Sequence, residues 1–462
     1  RPAGRAENRP MDRTASVLRR AWTPRGLILA IALPLGLFFV VAQPAWMGHD
    51  ESVHFPRAWQ IAGGDLTQTT TVDGLASEVP VEYLEDLAVV RTAAVAHLGP
   101  TFEGHRQLLG HRADSGRTML VPTWATGVSS PLPYLPVAAA MAPLRAIGAP
   151  AVWQLWAGRL GALAAYLGLA LVAIRVADRW QWTIAGLAIF PPLLVQAATL
   201  GYDAVTLGGV LLAIGVVSRL RRTRARDAPV LLAAGLLLAL AKPPYYLLMT
   251  PVAFGLFVRR RWLTGVGAAL PVGVGLAWSL VLAPGFDGPV PTILGTIQPD
   301  PDAHLARILG DPLGFLWHGV GGVIRSVPID HLPHWAFADT PVVVAWIGLA
   351  VTTLVALAGG RDPGPGGGGS TSPGERLLAL TAVCLLATAI TAAEYLYFTA
   401  PATDGSPAGF GGLTPQWRYL APLLGPLLVA LPRLPRISPR LGFPIVAIGA
   451  ASSSVGYLMA LS

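Results

Sequence analysis

The sequence predicts an all-α polytopic membrane protein: a bundle of about eleven or twelve transmembrane helices with a large first loop beyond the membrane. Three observations predict it. Hydrophobic residues make up 53% of the 462 and charged residues only 13%, against about 25% charged in a typical soluble chain. Mean hydropathy is +0.55. Many apolar runs approach the roughly 20 residues that a helix needs to cross a bilayer, whereas a membrane β-barrel would show short segments of alternating polarity.

Residues 1–26 carry seven arginines and read as a disordered cytoplasmic tail ahead of one transmembrane domain, 27–462. The first run, Leu27–Gln43, reads as an uncleaved signal anchor, with the apolar core of a signal peptide as the alternative. The further runs are Pro131–Gly148, Val152–Val176, Thr183–Leu200, Ala204–Leu220, Pro229–Lys242, Tyr245–Val258, Trp262–Leu282, Pro341–Leu357, Leu377–Phe398, Tyr419–Leu431 and Phe443–Leu461. Twelve crossings would put Arg219 to Arg226 outside, against the preference for positive charge in the cytoplasm. Reading Pro131–Gly148, with its four prolines and Arg145, as re-entrant or interfacial leaves eleven. Arg175/Arg179, Arg219–Arg226, Arg259–Arg261, Arg361/Arg376 and Arg433/Arg436/Arg440 then all face the cytoplasm.

That topology puts two long loops outside, 45–130 and 283–340, and all nine histidines lie in them. Within the loops, Val81–Ala96 and Asp302–Val327 have the pattern of helices resting on the bilayer. Residues 359–376, rich in Gly and Pro, read as a flexible cytoplasmic linker. The single Cys384 sits in an apolar run, which excludes a disulfide framework or a cysteine metal site. The +8 charge does not imply nucleic acid, because the arginines sit at helix ends.

Chemistry concentrates directly after the first run, in His49-Asp50-Glu51-Ser52-Val53-His54-Phe55-Pro56-Arg57-Ala58. Paired acids at a membrane face suit a general base, Asp50 or Glu51, with its neighbour orienting it, binding a sugar hydroxyl, or holding a divalent cation such as Mg or Mn. The same acids would also cap the following helix. His54 falls one helical turn after Asp50, and Arg57 three residues further on. Lys242 is the only lysine in the chain, and it ends an apolar run before Pro243-Pro244-Tyr245-Tyr246. A compact ammonium there suits a phosphate, with snorkelling to the headgroups as the alternative. Asp203 lies between two runs, as a site residue or a helix cap. Arg418, in Gln416-Trp417-Arg418-Tyr419, opens a run on the outer side, where a guanidinium can fork onto a lipid phosphate, with an ordinary headgroup contact as the alternative. Arg159 and Glu394 are further charges within apolar runs, as site residues or as members of internal pairs. Asp330, His331, His334 and Asp339 lack the spacing of a zinc site. No Walker loop, dinucleotide fingerprint or nucleophile elbow is present, which argues against a cytosolic nucleotide donor.

These pieces, in this order, resemble the uncharacterised bacterial membrane-protein family called domain of unknown function 2142. The resemblance rests on the Asp50-Glu51 motif, Ser130-Pro131-Leu132-Pro133-Tyr134, Ala157-Gly158-Arg159-Leu160, the Pro-rich stretch ending at Asp203, Lys242, and Gln416-Trp417-Arg418-Tyr419. It runs from about Leu27 to Leu461. Trp417 departs from the pattern, standing where the family usually has glycine. The family is similar to the GT-C-fold membrane glycosyltransferases. That implies a polyprenyl-phosphate-linked sugar as donor, an inverting transfer to a cell-envelope glycan or lipid acceptor, and an acid of the first outer loop as base. Asp50 matches that acid first and Glu51 second, with Lys242 and Arg418 as phosphate holders. Expected, then, is a multi-pass glycosyltransferase of the bacterial plasma membrane, with its N-terminus cytoplasmic and its site outside. A transporter or flippase of lipid-linked sugars and a non-catalytic envelope scaffold are the rivals.

Overall fold

The computed structural model describes residues 16–17, 20–48, 50–71, 74–95, 108–111, 117–123, 126, 129–282, 290–292, 295–326, 334–335, 338–339, 342–358, 371–402, 405–432, 434 and 437–461. Helices dominate. Among the described residues, five are long and apolar enough to cross a membrane: Pro24–Ala42, Ala151–Val176, Trp262–Leu280, Pro373–Phe398 and Pro439–Leu458. The other expected runs form shorter or interrupted helices. The run at Thr183–Leu200 splits into Gln181–Ala188 and Pro191–Ala197. Pro191 forces Phe190 into extended backbone, at φ −66° and ψ 115°, which ends the first helix. Pro131–Gly148 becomes a 3-10 turn, Leu132–Tyr134, and a 12-residue helix, Leu135–Ala146. At about 1.5 Å per residue that helix is too short to cross a bilayer.

Three expectations need correction. The fold is not purely helical, because the loop after the first helix holds an antiparallel sheet of Thr69–Thr71, Gly74–Pro80 and Thr118–Pro122, paired in that order. Two small hairpins, Val290–Thr292 with Gly295–Ile297 and His334–Trp335 with Ala338–Asp339, lie in the second loop. Alternation over so few residues is too short to stand out from an apolar background. The linker ends earlier than 376. Ser372 and Glu375 form a reciprocal capping box that starts the Pro373–Phe398 helix, and Thr371 donates to Val429 O at 3.0 Å. Positions 359–370 lie outside the described residues. The tail also ends earlier than 26: Thr23 caps a helix opened by Pro24, while Trp22 is buried against Trp182 and donates to Ile437 O at 3.1 Å. The rest of the tail, 1–15 and 18–19, lies outside the described residues.

The two expected interfacial helices form as Val81–Val95 and as a pair, Pro301–Gly310 and Pro312–Ser326, broken at Asp311. The first is bound tightly to the bundle. Glu82 accepts from Ala151 N at 2.6 Å, filling an open N–H at the start of the Ala151–Val176 helix. Tyr83 stacks on Phe55, meets Trp46 edge-on, and donates to Ser52 O.

A buried ion pair fixes how the first helix hands over to the loop. Arg159 and Glu51 are both fully buried. Arg159 donates from Nε to Glu51 Oε1 at 2.7 Å and from Nη2 to Oε2 at 2.6 Å. Its remaining hydrogens go to Val40 O, Gln43 O and Pro44 O at 3.0, 2.6 and 2.7 Å, the carbonyls left open where the first helix ends. Glu51 also accepts from Gly48 N at 3.1 Å and Leu200 N at 3.0 Å. A Cβ on Gly48 would come within 2.4 Å of the Glu51 carboxyl carbon and 2.6 Å of Thr199 Cγ2, so the turn closes only on glycine.

Three helices run between the same two polar groups. Asp203–Val217 leads from Asp203 to Arg219, Ala228–Ala241 from Asp227 to Lys242, and Pro373–Phe398 from Glu375 towards Glu394. At one end Arg179 and Arg221 fork onto Glu375 at 2.6 and 2.7 Å, and Arg219 faces Asp178 and Asp227 at 3.7 and 3.6 Å. At the other, Lys242 pairs with Asp203 at 2.8 Å. The two groups therefore occupy opposite ends of the bundle.

Removing one partner of the buried pair strands the other. Glu51→Gln or Arg159→Met should each cost about 3–5 kcal/mol, and Glu51→Met with Arg159→Leu together less than either alone. Thermal unfolding of the purified chain in detergent measures it; a double variant that loses as much as the two singles summed would contradict a paired role.

Candidate functional site

Asp50 follows from that handover. Glu51, clasped by Arg159, leaves its predecessor in the left-handed region at φ 57°, ψ 16°, which Asp tolerates better than most residues. Asp50 O accepts from Val53 N and His54 N at 2.8 and 2.9 Å, opening the Glu51–Ala62 helix. The Asp50 side chain remains 48% exposed, and its Oδ2 accepts from Arg418 Nη2 at 2.7 Å.

Arg418 comes from the far end of the chain, on the short Trp417–Leu420 helix. Its Nε donates to Gln416 Oε1 at 2.8 Å, and Nη2 also donates to the Tyr419 hydroxyl at 2.8 Å. The segment is held from behind, because Gln416 N donates to both oxygens of Glu394 at 3.1 and 2.9 Å. Tyr245 fixes it further, donating to Tyr419 O at 2.7 Å. The Tyr419 ring is shared: Lys242 Nζ lies 4.0 Å from its centre and Arg418 Cζ 4.7 Å. The two cationic centres are thus no farther apart than the sum of those distances. Lys242 also contacts the Tyr202 ring at 4.7 Å and donates to Asp203 Oδ1, whose other oxygen accepts from Gln196 Nε2 at 2.8 Å.

His54 closes the group on the side of the first loop. Its Nδ1 is 2.7 Å from the Tyr134 hydroxyl, and its ring meets Tyr202 edge-on at 4.5 Å. Burial pushes His54 down to about 4, against the upward pull of Asp50 and Asp203, so the imidazole is neutral at neutral pH.

Of the residues singled out from sequence, Asp50, His54, Asp203, Lys242, Gln416, Arg418 and Tyr419 come together here. Three do not. Glu51 is fully buried and taken up by Arg159 and two backbone N–H groups, so it has no face open to a substrate. Arg159 is its partner and not part of the cluster. Arg57 donates to Gln60 Oε1 at 3.2 Å and Leu66 O at 2.8 Å, tying its helix to the following loop instead. His49, His331 and Asp330 lie outside the described residues, as do the side chains of His334 and Asp339. Among the described residues, no three His, Cys, Asp or Glu side chains come together in a way that could hold a metal ion.

Sequence reading passed over Gln196, Tyr202, Tyr134 and Tyr245 as members of the site, although each lies within or beside a stretch already singled out. Glu394 stood out only as a stray charge. Its link to Gln416 spans 22 residues and is made through the backbone, which leaves no trace in residue identity.

Fold and cluster together define a polytopic helical membrane protein with a paired-charge site at one end of its bundle. The chain belongs to the family described as "Predicted membrane protein (DUF2142)", whose model matches residues 33–427, a span containing every residue of the cluster. No curated protein and no solved structure matches it.

The neutral imidazole gives a direct check. A histidine whose folded pKa lies below its unfolded value supports the fold fully above about 6.5 and progressively less as pH falls towards 4. His54 should give no imidazole titration by NMR between pH 5.5 and pH 8, within about a unit of its folded value. A midpoint near 6.5 would mean that the ring is solvated.

Proposed function

We propose that this protein is a GT-C-like membrane glycosyltransferase acting at the outer face of a bacterial plasma membrane. Its donor is a polyprenyl-phosphate-linked sugar and its acceptor a hydroxyl of a cell-envelope glycan or lipid. The observation that carries the reading is the meeting of Asp50, Lys242 and Arg418, drawn from 368 residues of sequence separation, at the end of the bundle opposite the arginine-rich loops. If positive charge marks the cytoplasmic side, that end faces outward.

In this mechanism Lys242 and Arg418, both beside the Tyr419 ring, bind the donor phosphate. A phosphate drawing Arg418 away from Asp50 would uncouple the carboxylate from its guanidinium partner and raise its basicity. The acceptor oxygen then attacks the anomeric carbon as Asp50 takes its proton. The bond from that carbon to the phosphate oxygen breaks, its electron pair leaves with the lipid phosphate, and the two cations stabilise the charge. Configuration inverts because attack comes from the face opposite the leaving group. A divalent cation is not required by this scheme, since two fixed cations already face the phosphate.

Asp50→Asn should abolish release of free polyprenyl phosphate while the chain stays folded and inserted, and retained turnover would defeat the assignment. Lys242→Met and Arg418→Gln should each weaken donor use by roughly 10²–10³-fold in kcat/KM, the range for losing a charge-assisted contact to the leaving group. Movement of the intact lipid-linked sugar across vesicles with no release of lipid phosphate would identify a flippase instead. Full envelope function in all three variants would leave a scaffold.

A further inference from the structure

The opposite end of the molecule carries a second group of charges that the proposed reaction does not use. Its arginines fall into two sets. Arg179, Arg219 and Arg221 are spent internally, on Glu375, Asp178 and Asp227. Arg222, Arg224, Arg226, Arg259 and Arg260 are exposed, and among the described residues none of their side chains has a carboxylate partner.

Arg261 gathers the second set into one surface. It reaches from the turn at 259–261 to the loop after the Asp203–Val217 helix. There it donates from Nη1 to Leu220 O and Thr223 O at 3.1 and 2.5 Å, and from Nη2 to Arg221 O at 2.9 Å. Two loops separated by some 40 residues of sequence are thereby stapled together with five uncompensated charges between them. Large apolar side chains flank the charges directly: Phe254 and Val258 on one helix and Trp262 and Leu263 on the next are each more than 60% exposed. A band of guanidinium groups beside exposed aliphatic and indole groups matches the level at which lipid phosphates meet acyl chains. An RNA-binding face would need no such apolar flank.

We propose that this stapled arginine surface is a binding site for anionic phospholipid headgroups, with Arg222, Arg224, Arg226, Arg259 and Arg260 contacting the phosphates and Trp262 seated at the headgroup level. The site is independent of the transfer reaction proposed above.

The test uses the full chain purified in a neutral detergent, titrated with phosphatidylglycerol, cardiolipin, phosphatidylcholine, inorganic phosphate and a homopolymer RNA, with thermal stability and lipid retention as readouts. Phosphatidylglycerol and cardiolipin should bind and raise Tm, phosphatidylcholine should not, and the effect should weaken as salt rises. Replacing the five arginines by Gln should weaken anionic-lipid binding by at least about tenfold, while replacing them by Lys should retain it. If the Gln variant fails to insert, the selectivity of the wild-type chain among lipids decides alone. Equal binding of phosphatidylcholine, or unchanged selectivity in the Gln variant, would overturn the proposal. So would inorganic phosphate acting as well as the lipids, which would indicate a free-phosphate site, or RNA displacing the lipids.

Discussion

The fully buried pair of Glu51 and Arg159 is the constraint on which the cluster depends. Arg159 does two things with one guanidinium. It neutralises Glu51, and it satisfies the carbonyls left open where the first helix ends. Neither group tolerates burial alone, since an unpaired charge in a low-dielectric interior costs several kcal/mol. The pair therefore fixes where the first helix stops, how tightly the turn at Gly48 closes, and the left-handed backbone of Asp50. A carboxylate with that backbone points away from its neighbour, which is why adjacent acids in sequence have separate uses in space.

The second organising feature is that the bundle separates its charges. Short apolar helices such as Asp203–Val217 and Ala228–Ala241 carry a polar residue at each end and little between. Arginines collect at one end, where Arg179, Arg219 and Arg221 are matched by Glu375, Asp178 and Asp227. Aspartates with Lys242 and Arg418 collect at the other. Exposed charges at opposite ends of helices about 20 Å long lie more than a Debye length apart, so solvent largely screens one cluster from the other.

Much of this was legible in the sequence. A lone lysine among arginines, an arginine at the start of a run and an acidic pair just past the first helix each break the local pattern, and Lys242, Arg418 and Asp50 do converge. What sequence reading could not decide was which of Asp50 and Glu51 faces the site, since that depends on Arg159, which is 108 residues away and looked like a stray charge. The run Thr183–Leu200 reads as one segment in sequence, yet Pro191-Pro192 divides it into two short helices. The sheet in the first loop was missed because Thr69–Thr71 and Gly74–Pro80 are short strands, with Gly and Pro at the ends of the second, whose pairing is settled by a partner some 40 residues on.

The ring of Tyr419 has a thermodynamic consequence. Because Lys242 and Arg418 both lie against it, and each is tied to its own aspartate, the energies of the two cations are coupled. Free energies measured on single replacements will not add, and a double-mutant cycle across the ring should return a substantial interaction term. Any anion held at this end of the molecule would therefore meet the pair and not two independent charges.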